Sequence, residues 1–160
     1  MERLWAPWRM EYISKCDEQK GCIFCDLPKK ENDRETLILF RGEHSFVIMN
    51  KFPYAVGHLM VAPNRHTADL NDLSNDELSD IFLNVRVCVN ILKKAMNPQG
   101  FNIGANLGRS GGAGIVDHIH YHVVPRWNGD SNFMSVVGEV RLISEGLEKT
   151  YDKLFPLFLE

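Results

Sequence analysis

Three histidines alternate with apolar residues in the segment His118-Ile119-His120-Tyr121-His122-Val123-Val124. Successive side chains of a β-strand point to opposite faces, so the three imidazoles share one face and their neighbours cover the other. Packing does not require three adjacent imidazoles, and each buried one needs a hydrogen-bond partner. The segment therefore predicts a strand with one core face and one functional face that serves a metal, a phosphate group or a histidine nucleophile.

A glycine-rich loop directly precedes this strand and reads Gly108-Arg109-Ser110-Gly111-Gly112-Ala113-Gly114. Because glycine has no Cβ, such a loop can turn backbone N–H groups toward an anion. A flexible hairpin loop is the alternative, but the adjacent histidines favour a phosphate site. A neutral imidazole beside that phosphate can attack phosphorus and form a covalent phosphoramidate. The other mechanism is a metal bound by two or three of the imidazoles.

A Cys-x-x-Cys pair near the N-terminus, Cys22 and Cys25, suggests a second site. This spacing suits a thioredoxin-like redox pair or half of a zinc site. No βαβ pattern surrounds the pair, which disfavours redox chemistry. Zinc prefers four ligands, so two histidines are needed to complete the site. The candidates are His44, His58, His66 and one end of the histidine segment.

The other apolar runs predict antiparallel strands and one long helix. We expect strands over residues 36–40, 45–50, 58–63 and 101–107, with a hairpin joining the first two. Ser74-Asn75-Asp76-Glu77 has the capping-box pattern of a helix start, and apolar residues follow at helical spacing up to Asn97-Pro98. Loops and a short helix are expected over residues 1–35, and a helix over 146–155. This pattern predicts an α+β fold.

Length and composition exclude several classes of protein. The chain has 160 residues, which suits one domain, and its net charge of −3 provides no basic field for nucleic acid. No apolar stretch reaches the roughly 20 residues that span a bilayer, and the first residues do not resemble a signal peptide. Four cysteines at irregular spacing do not form a disulfide scaffold. We therefore expect a cytoplasmic protein with neither membrane nor nucleic-acid partners.

Taken together, these motifs resemble the histidine-triad family, whose signature is His-φ-His-φ-His-φ-φ with φ apolar. Residues 118–124 match the signature, residues 50–66 resemble its upstream half-site, and residues 106–115 resemble its phosphate loop. The flanking Trp5-Ala6-Pro7-Trp8-Arg9 and Pro125-Arg126-Trp127-Asn128-Gly129-Asp130 are similar to the bacterial branch of diadenosine tetraphosphate phosphorylases and hydrolases. The third triad position is His122 rather than glutamine, which argues against the uridylyltransferase branch.

The resemblance implies a role for each matching residue. His120 corresponds to the nucleophile that holds a nucleotidyl intermediate, and His122 and His58 flank the phosphate. Substrate contacts are implied for Asn50 at a ribose hydroxyl and for Asn106, Gly112 and Gly114 around the phosphate. A structural zinc is implied on Cys22, Cys25, His66 and His118, with no organic cofactor.

Two residues depart from patterns common in the family. Gly114 stands near a position where many members have serine, so one hydrogen bond to phosphate or leaving group is missing. Asn50 replaces the aspartate of the phosphoramidase branch, and an amide bonds a ribose hydroxyl without charge assistance.

The resemblance also implies an architecture and an activity. We expect a five-stranded antiparallel sheet with one long helix and a C-terminal helical tail, assembled as a homodimer. The chain is expected to be a single domain over residues 1–160, with a core at about 22–130, an N-terminal aromatic arm and a C-terminal extension. The expected substrate is a dinucleoside polyphosphate, with adenine favoured, and either phosphate or water is the acceptor. The alternatives are a purine nucleoside phosphoramidase, a catalytically silent nucleotide sensor and a zinc hydrolase.

Overall fold

The computed structural model describes residues 21–130 and 143–160. Trp5 and Trp8 of the aromatic arm, Cys16 and residues 131–142 lie outside the described residues. Within the described ranges, one sheet contains five strands: β1 (Ile38–Arg41), β2 (Ser45–Met49), β3 (Leu59–Pro63), β4 (Gly100–Ala105) and β5 (Tyr121–Arg126). Their spatial order is β1-β2-β3-β5-β4, and every neighbouring pair is antiparallel. The sheet confirms the predicted α+β class.

Helices lie before, within and after the sheet in the chain. They are α1 (Ile23–Asp26), α2 (Asp33–Thr36), α3 (Asn75–Met96) and α4 (Leu147–Leu154). Short 3-10 helices lie at Leu27–Lys29, Leu70–Asp72 and Phe155–Phe158. Within the described ranges, no helix has the length and apolar character that crossing a membrane requires.

The long helix α3 begins and ends where local sequence signals predict. Ser74 Oγ accepts from the Glu77 N–H, and Glu77 Oε2 accepts from the Ser74 N–H at 2.8 Å, so the capping box is complete. The helix ends at Met96, and its C-cap Asn97 takes a left-handed conformation immediately before Pro98. Glu77 Oε1 also accepts from Arg65 Nε at 2.7 Å. The start of α3 is therefore tied to the loop after β3.

Apolar side chains cover both faces of the sheet, and all residues of β2 and β3 are buried. The main core lies between the sheet and α3 and includes Cys88, as its place on the apolar face of the helix predicts. The C-terminal extension belongs to this core as well, through Tyr151, Leu154 and Phe158. A smaller cluster covers the opposite face and contains Phe24, Ile38, Phe46, Ile48, Met60 and Ala62. It is on this second face that the histidines lie.

The histidine segment differs from the prediction in one respect, because β5 begins at Tyr121 and not at His118. The register pairs Val61 with Tyr121, so the ladder would next need Pro63 opposite Ile119. Proline has no N–H to donate to a ladder. The Ile119 N–H donates instead to the Thr67 carbonyl at 2.7 Å. The alternation of faces nevertheless holds, since Ile119, Tyr121 and Val123 all enter the main core.

The other predicted strands are shifted by one or two residues at their ends. β1 begins at Ile38 because Thr36 closes α2 and Leu37 has a positive φ of 62°. β4 covers Gly100–Ala105, where residues 101–107 were predicted. The chain leaves the sheet at Asn106, whose side chain bonds within the glycine loop.

Candidate active site

Two cysteines and two histidines converge on one point beside the sheet. His118 Nδ1 lies 3.3 Å from Cys22 Sγ, 3.6 Å from Cys25 Sγ and 3.4 Å from His66 Nδ1. Cys25 Sγ lies 3.3 Å from His66 Nδ1. All four ligand atoms are within 4.8 Å of one another, so the cluster can hold a metal ion. We refer to these four residues as the metal cluster.

The protonation of His118 suits a metal ligand. Its Nε2–H donates to the Pro63 carbonyl at 2.9 Å, which leaves the lone pair on Nδ1, the atom that faces the cysteines. A hydrogen bond from the second ring nitrogen is the usual way in which a ligating histidine is oriented. Burial lowers the pKa of His118, so the ring is neutral at pH 7. Burial, followed by the neighbouring Cys22, raises the pKa of the Cys25 thiol, and a cation would favour the thiolate.

His120 is buried next to this cluster, with one ring nitrogen held by the backbone. Its Nδ1–H donates to the His118 carbonyl at 2.9 Å, so the lone pair resides on Nε2. Burial lowers the pKa of His120, which keeps the ring neutral at pH 7. A neutral imidazole whose tautomer is fixed in this way has a lone pair on a defined nitrogen and can act as a nucleophile.

A chain of hydrogen bonds fixes the tautomer of His122. The Tyr54 N–H donates to His58 Nδ1 at 3.0 Å, which places the His58 proton on Nε2. His58 Nε2–H then donates to His122 Nδ1 at 2.9 Å, which places the His122 proton on Nε2. Burial lowers the pKa of His122 to about 4. His122 is therefore a neutral hydrogen-bond donor at pH 7, next to the His120 ring at 4.9 Å between centroids.

The loop between β2 and β3 places His58. Gly57 has a φ of +75°, and a Cβ there would lie 2.9 Å from Met96 Sδ and 3.0 Å from Leu92 Cδ2, so only glycine fits. Asn50 supports the same loop, because its Oδ1 accepts from the Phe52 N–H at 2.9 Å and its Nδ2 donates to His58 Nδ1 at 3.4 Å. The structure therefore places Asn50 beside His58.

The glycine loop uses several of its own amides. The N–H groups of Gly112 and Ala113 donate to the carbonyls of Arg109 and Gly108. Asn106 Nδ2 donates to the Gly112 carbonyl at 3.2 Å, and Gly112 has a φ of +87°. Among the described residues, none accepts a backbone hydrogen bond from the exposed Gly114. Only part of the loop is therefore available to an anion.

Phe24 is a contact residue that the sequence motifs did not single out. It lies between the two cysteines, is 1% exposed, and its ring centroid is 4.7 Å from that of His120. Its position inside the Cys-x-x-Cys motif was the only available signal. Tyr54 also contacts the site, with its ring 4.6 Å from His58.

The sequence pattern of the HIT domain matches residues 30–129, which include His58, His66 and the complete histidine triad. The chain belongs to the HIT domain family. Cys22 and Cys25 precede the matched range, so half of the metal cluster lies outside the HIT domain as the family pattern defines it.

Curated HIT relatives and a solved HIT structure are similar to most of the chain. An AP-4-A phosphorylase of Mycobacterium tuberculosis is 35% identical and covers 94% of this chain and 80% of its own length. A bis(5'-adenosyl)-triphosphatase of Dictyostelium discoideum is 30% identical over 79% of this chain and 89% of its own. A Zn-bound histidine triad family protein from Mycobacterium smegmatis superposes with a TM-score of 0.69 at 25% identity, over 87% of this chain and 94% of that one.

Proposed function

We propose that this HIT protein cleaves dinucleoside polyphosphates of the diadenosine tetraphosphate type, through a nucleotidyl intermediate on His120. The observation that carries the proposal is the hydrogen bond from His120 Nδ1–H to the His118 carbonyl, because it leaves the Nε2 lone pair for attack. The names of the two curated relatives support the substrate class.

The reaction has two balanced steps. In the first, His120 Nε2 attacks the α-phosphorus, an N–P bond forms, and the bond to the bridging oxygen breaks. The departing group from diadenosine tetraphosphate is ATP, and His122 Nε2–H donates a hydrogen bond to the oxygen on which charge develops. In the second step an oxygen atom of the acceptor attacks the same phosphorus, an O–P bond forms, the N–P bond breaks and His120 is freed, and an acceptor water releases one proton to solvent. Water gives AMP, whereas inorganic phosphate gives ADP.

The other residues named by the resemblance form the proposed substrate site. Asn50 binds a ribose hydroxyl, and Asn106 together with the backbone of Gly112 and Gly114 binds the phosphate. The bonds inside the glycine loop support Gly114 as the amide that faces the anion. Half-buried apolar side chains on the histidine face of the sheet offer a surface for adenine: Ile23, Leu27 and Ile115.

We propose zinc as the ion of the metal cluster, with a structural role. Tetrahedral zinc with ordinary bond lengths separates two nitrogen ligands by about 3.3 Å and a nitrogen and a sulfur ligand by about 3.6 Å. The distance is 3.4 Å for His66 to His118, and it is 3.3–3.6 Å for the pairs Cys22–His118, Cys25–His66 and Cys25–His118. Four protein ligands complete the coordination and leave no position for water, as is typical of structural zinc. Bound zinc would thus link α1 to the sheet. The steps above need no organic cofactor.

A homodimer formed through β4 is part of the proposal. Among the described strands β4 lies at the edge of the sheet, next to β5, and Ile103 and Leu107 are 47% and 50% exposed. Phe82 of α3 is 52% exposed and contacts Tyr121, which pairs with Ala105 of β4. An edge strand beside exposed apolar side chains suits pairing with a second copy.

We treat residues 1–160 as one domain and place it in the cytoplasm. The HIT pattern lies within the proposed central part of the domain, at about residues 22–130. The C-terminal extension packs into the same hydrophobic core. Cys22, Cys25 and Cys88 form no disulfide, which is the state that a reducing compartment maintains.

The test is turnover of diadenosine tetraphosphate, with and without phosphate, by wild type, His120→Ala and the control His44→Ala. His44 lies in the β1–β2 turn, where its Nε2 is 3.9 Å from Glu43 Oε1, and it does not belong to the metal cluster. We expect His120→Ala to lose at least about 10³-fold in kcat and His44→Ala to match wild type. Labelled nucleotide should be trapped on wild type as an acid-labile adduct on His120.

Near wild-type turnover by His120→Ala would contradict the mechanism. A clear preference for an adenosine phosphoramidate in direct competition would assign the chain to the phosphoramidases instead. Tight AMP binding without turnover of any nucleotide would identify a sensor.

A further inference from the structure

Phe24 joins the metal cluster to the proposed nucleophile. It lies on α1 between Cys22 and Cys25, and its ring contacts His118 at 5.4 Å and His120 at 4.7 Å between centroids. Its side chain is 1% exposed, which leaves it little freedom to move. The position of its backbone depends on the two cysteines, one residue and two residues away.

The hydrogen bond to His118 alone does not orient the His120 ring. One bond at Nδ1 fixes that atom but permits the ring to tilt about it, and tilting moves Nε2 away from the phosphorus. Phe24 covers the ring with an interplanar angle of 39°, and His122 contacts it edge-on at 73°. The ring therefore lies between an aromatic face and a second imidazole, and Phe24 blocks the tilt.

We propose that Phe24 is a positioning residue for His120, and that the metal cluster acts on catalysis by holding Phe24 in place. The proposal rests on His120 being the nucleophile, as above. A reacting atom displaced by about 1 Å can cost about 100-fold in rate, so a loosened ring lowers kcat. Phe24 does not bind substrate in this proposal, and KM is therefore unaffected.

Phe46 is a matched control. It is also 1% exposed and belongs to the same apolar cluster. Among the described residues its ring contacts Phe24, at 6.3 Å, and no histidine. Phe46→Leu and Phe24→Leu thus remove the same atoms from the same cluster, and only Phe24→Leu removes a contact with His120.

The experiment measures kcat, KM, unfolding temperature and zinc content for wild type and both variants. It also records the imidazole Nδ1–H signal of His120 by NMR, assigned by its loss in His120→Ala. We expect Phe24→Leu to lose about 10- to 100-fold in kcat relative to Phe46→Leu, with KM within about threefold and zinc retained. The Nδ1–H signal should exchange with water faster in Phe24→Leu and stay protected in Phe46→Leu. If Phe24→Leu does not fold, Phe24→Met keeps most of the volume and is measured instead.

Two results would overturn the proposal. One is equal kcat and equal Nδ1–H protection in the Phe24 and Phe46 variants, which would mean that Phe24 only fills space. The other is a raised KM at unchanged kcat, which would make Phe24 a substrate contact. If wild type does not cleave diadenosine tetraphosphate, the proposed function fails, and Nδ1–H protection by itself decides the role of Phe24.

Discussion

His118 contributes its ring to one site and its backbone carbonyl to the other. The ring Nδ1 lies 3.3 Å from Cys22 Sγ in the metal cluster, while the carbonyl accepts from His120 Nδ1–H at 2.9 Å. Any movement of His118 therefore displaces the acceptor that sets the tautomer of His120. This double role links the structural and the chemical function that we propose for one row of histidines.

Metal removal should loosen the fold. Chelation, or the Cys25→Ser substitution, is expected to lower the unfolding temperature, because zinc bound only to the folded chain stabilises it. Returning zinc to the chelated protein should restore both stability and activity. Calorimetry with metal analysis checks this. Loss of turnover with an unchanged unfolding temperature and an unchanged Nδ1–H signal of His120 would instead indicate a catalytic metal.

His58→Ala should lower kcat by about 10- to 100-fold. This is less than the full contribution of a general acid or base, because His58 acts through His122. Without the His58 donor, His122 can take the other tautomer and no longer directs Nε2–H at the leaving group. The loss should shrink for a substrate whose leaving group has a low pKa and needs less assistance. Steady-state kinetics on two such substrates, with His44→Ala as control, test the idea, and an equal loss on both would speak against it.

Gly57→Ala should destabilise the protein by about 1–3 kcal/mol, because alanine is strained at this φ and its Cβ would crowd Met96. Activity should fall too, since the next residue is His58. The control is Gly100→Ala, where a Cβ would meet no atom within 4 Å. Urea unfolding of both variants measures the difference, and equal stability would contradict the prediction.

Glu77 should make stability depend on acid pH. Its hydrogen bond from Arg65, followed by that from Ser74, lowers the pKa of Glu77 from 4.5 to about 2 in the folded chain. The stabilisation is therefore present above about pH 4.5 and is lost as the pH falls toward about 2. Glu77→Gln should be less stable than wild type at pH 7, with a difference that narrows below pH 4.5. Unfolding curves across this pH range measure the difference in stability between Glu77→Gln and wild type, with the exposed Glu43→Gln as control. A difference that stays constant with pH would contradict the prediction.

Ile103→Lys should convert the proposed dimer to monomers, because it places a charge on the exposed apolar side of the edge strand. The control is Leu159→Lys at a side chain that is 72% exposed near the C-terminus. Sedimentation analysis should show the mass halved for Ile103→Lys alone. A monomeric wild type, or a dimeric variant, would reject β4 as the interface.

Features set by near neighbours in the chain could be predicted from the sequence. The capping box at Ser74 and the apolar face of α3 involve residues within a few positions of one another, and both were predicted correctly. The start of β5 was wrong because it depends on Pro63, which lies 55 positions from His118. Phe24 was missed for the same reason, since its ring meets His120 across distant parts of the chain.

The sequence by itself determined the alternation of the triad, the glycine loop and the Cys-x-x-Cys pair, because each is a local pattern. Spacing alone left His44, His58, His66 and one end of the triad open as partners for the cysteines. The family resemblance implied His66 and His118, and the tertiary structure brings these two to the cysteines and His58 to His122. The physical reason is that β3 and β5 are neighbours in the sheet, so their ends meet at a point that no local pattern specifies.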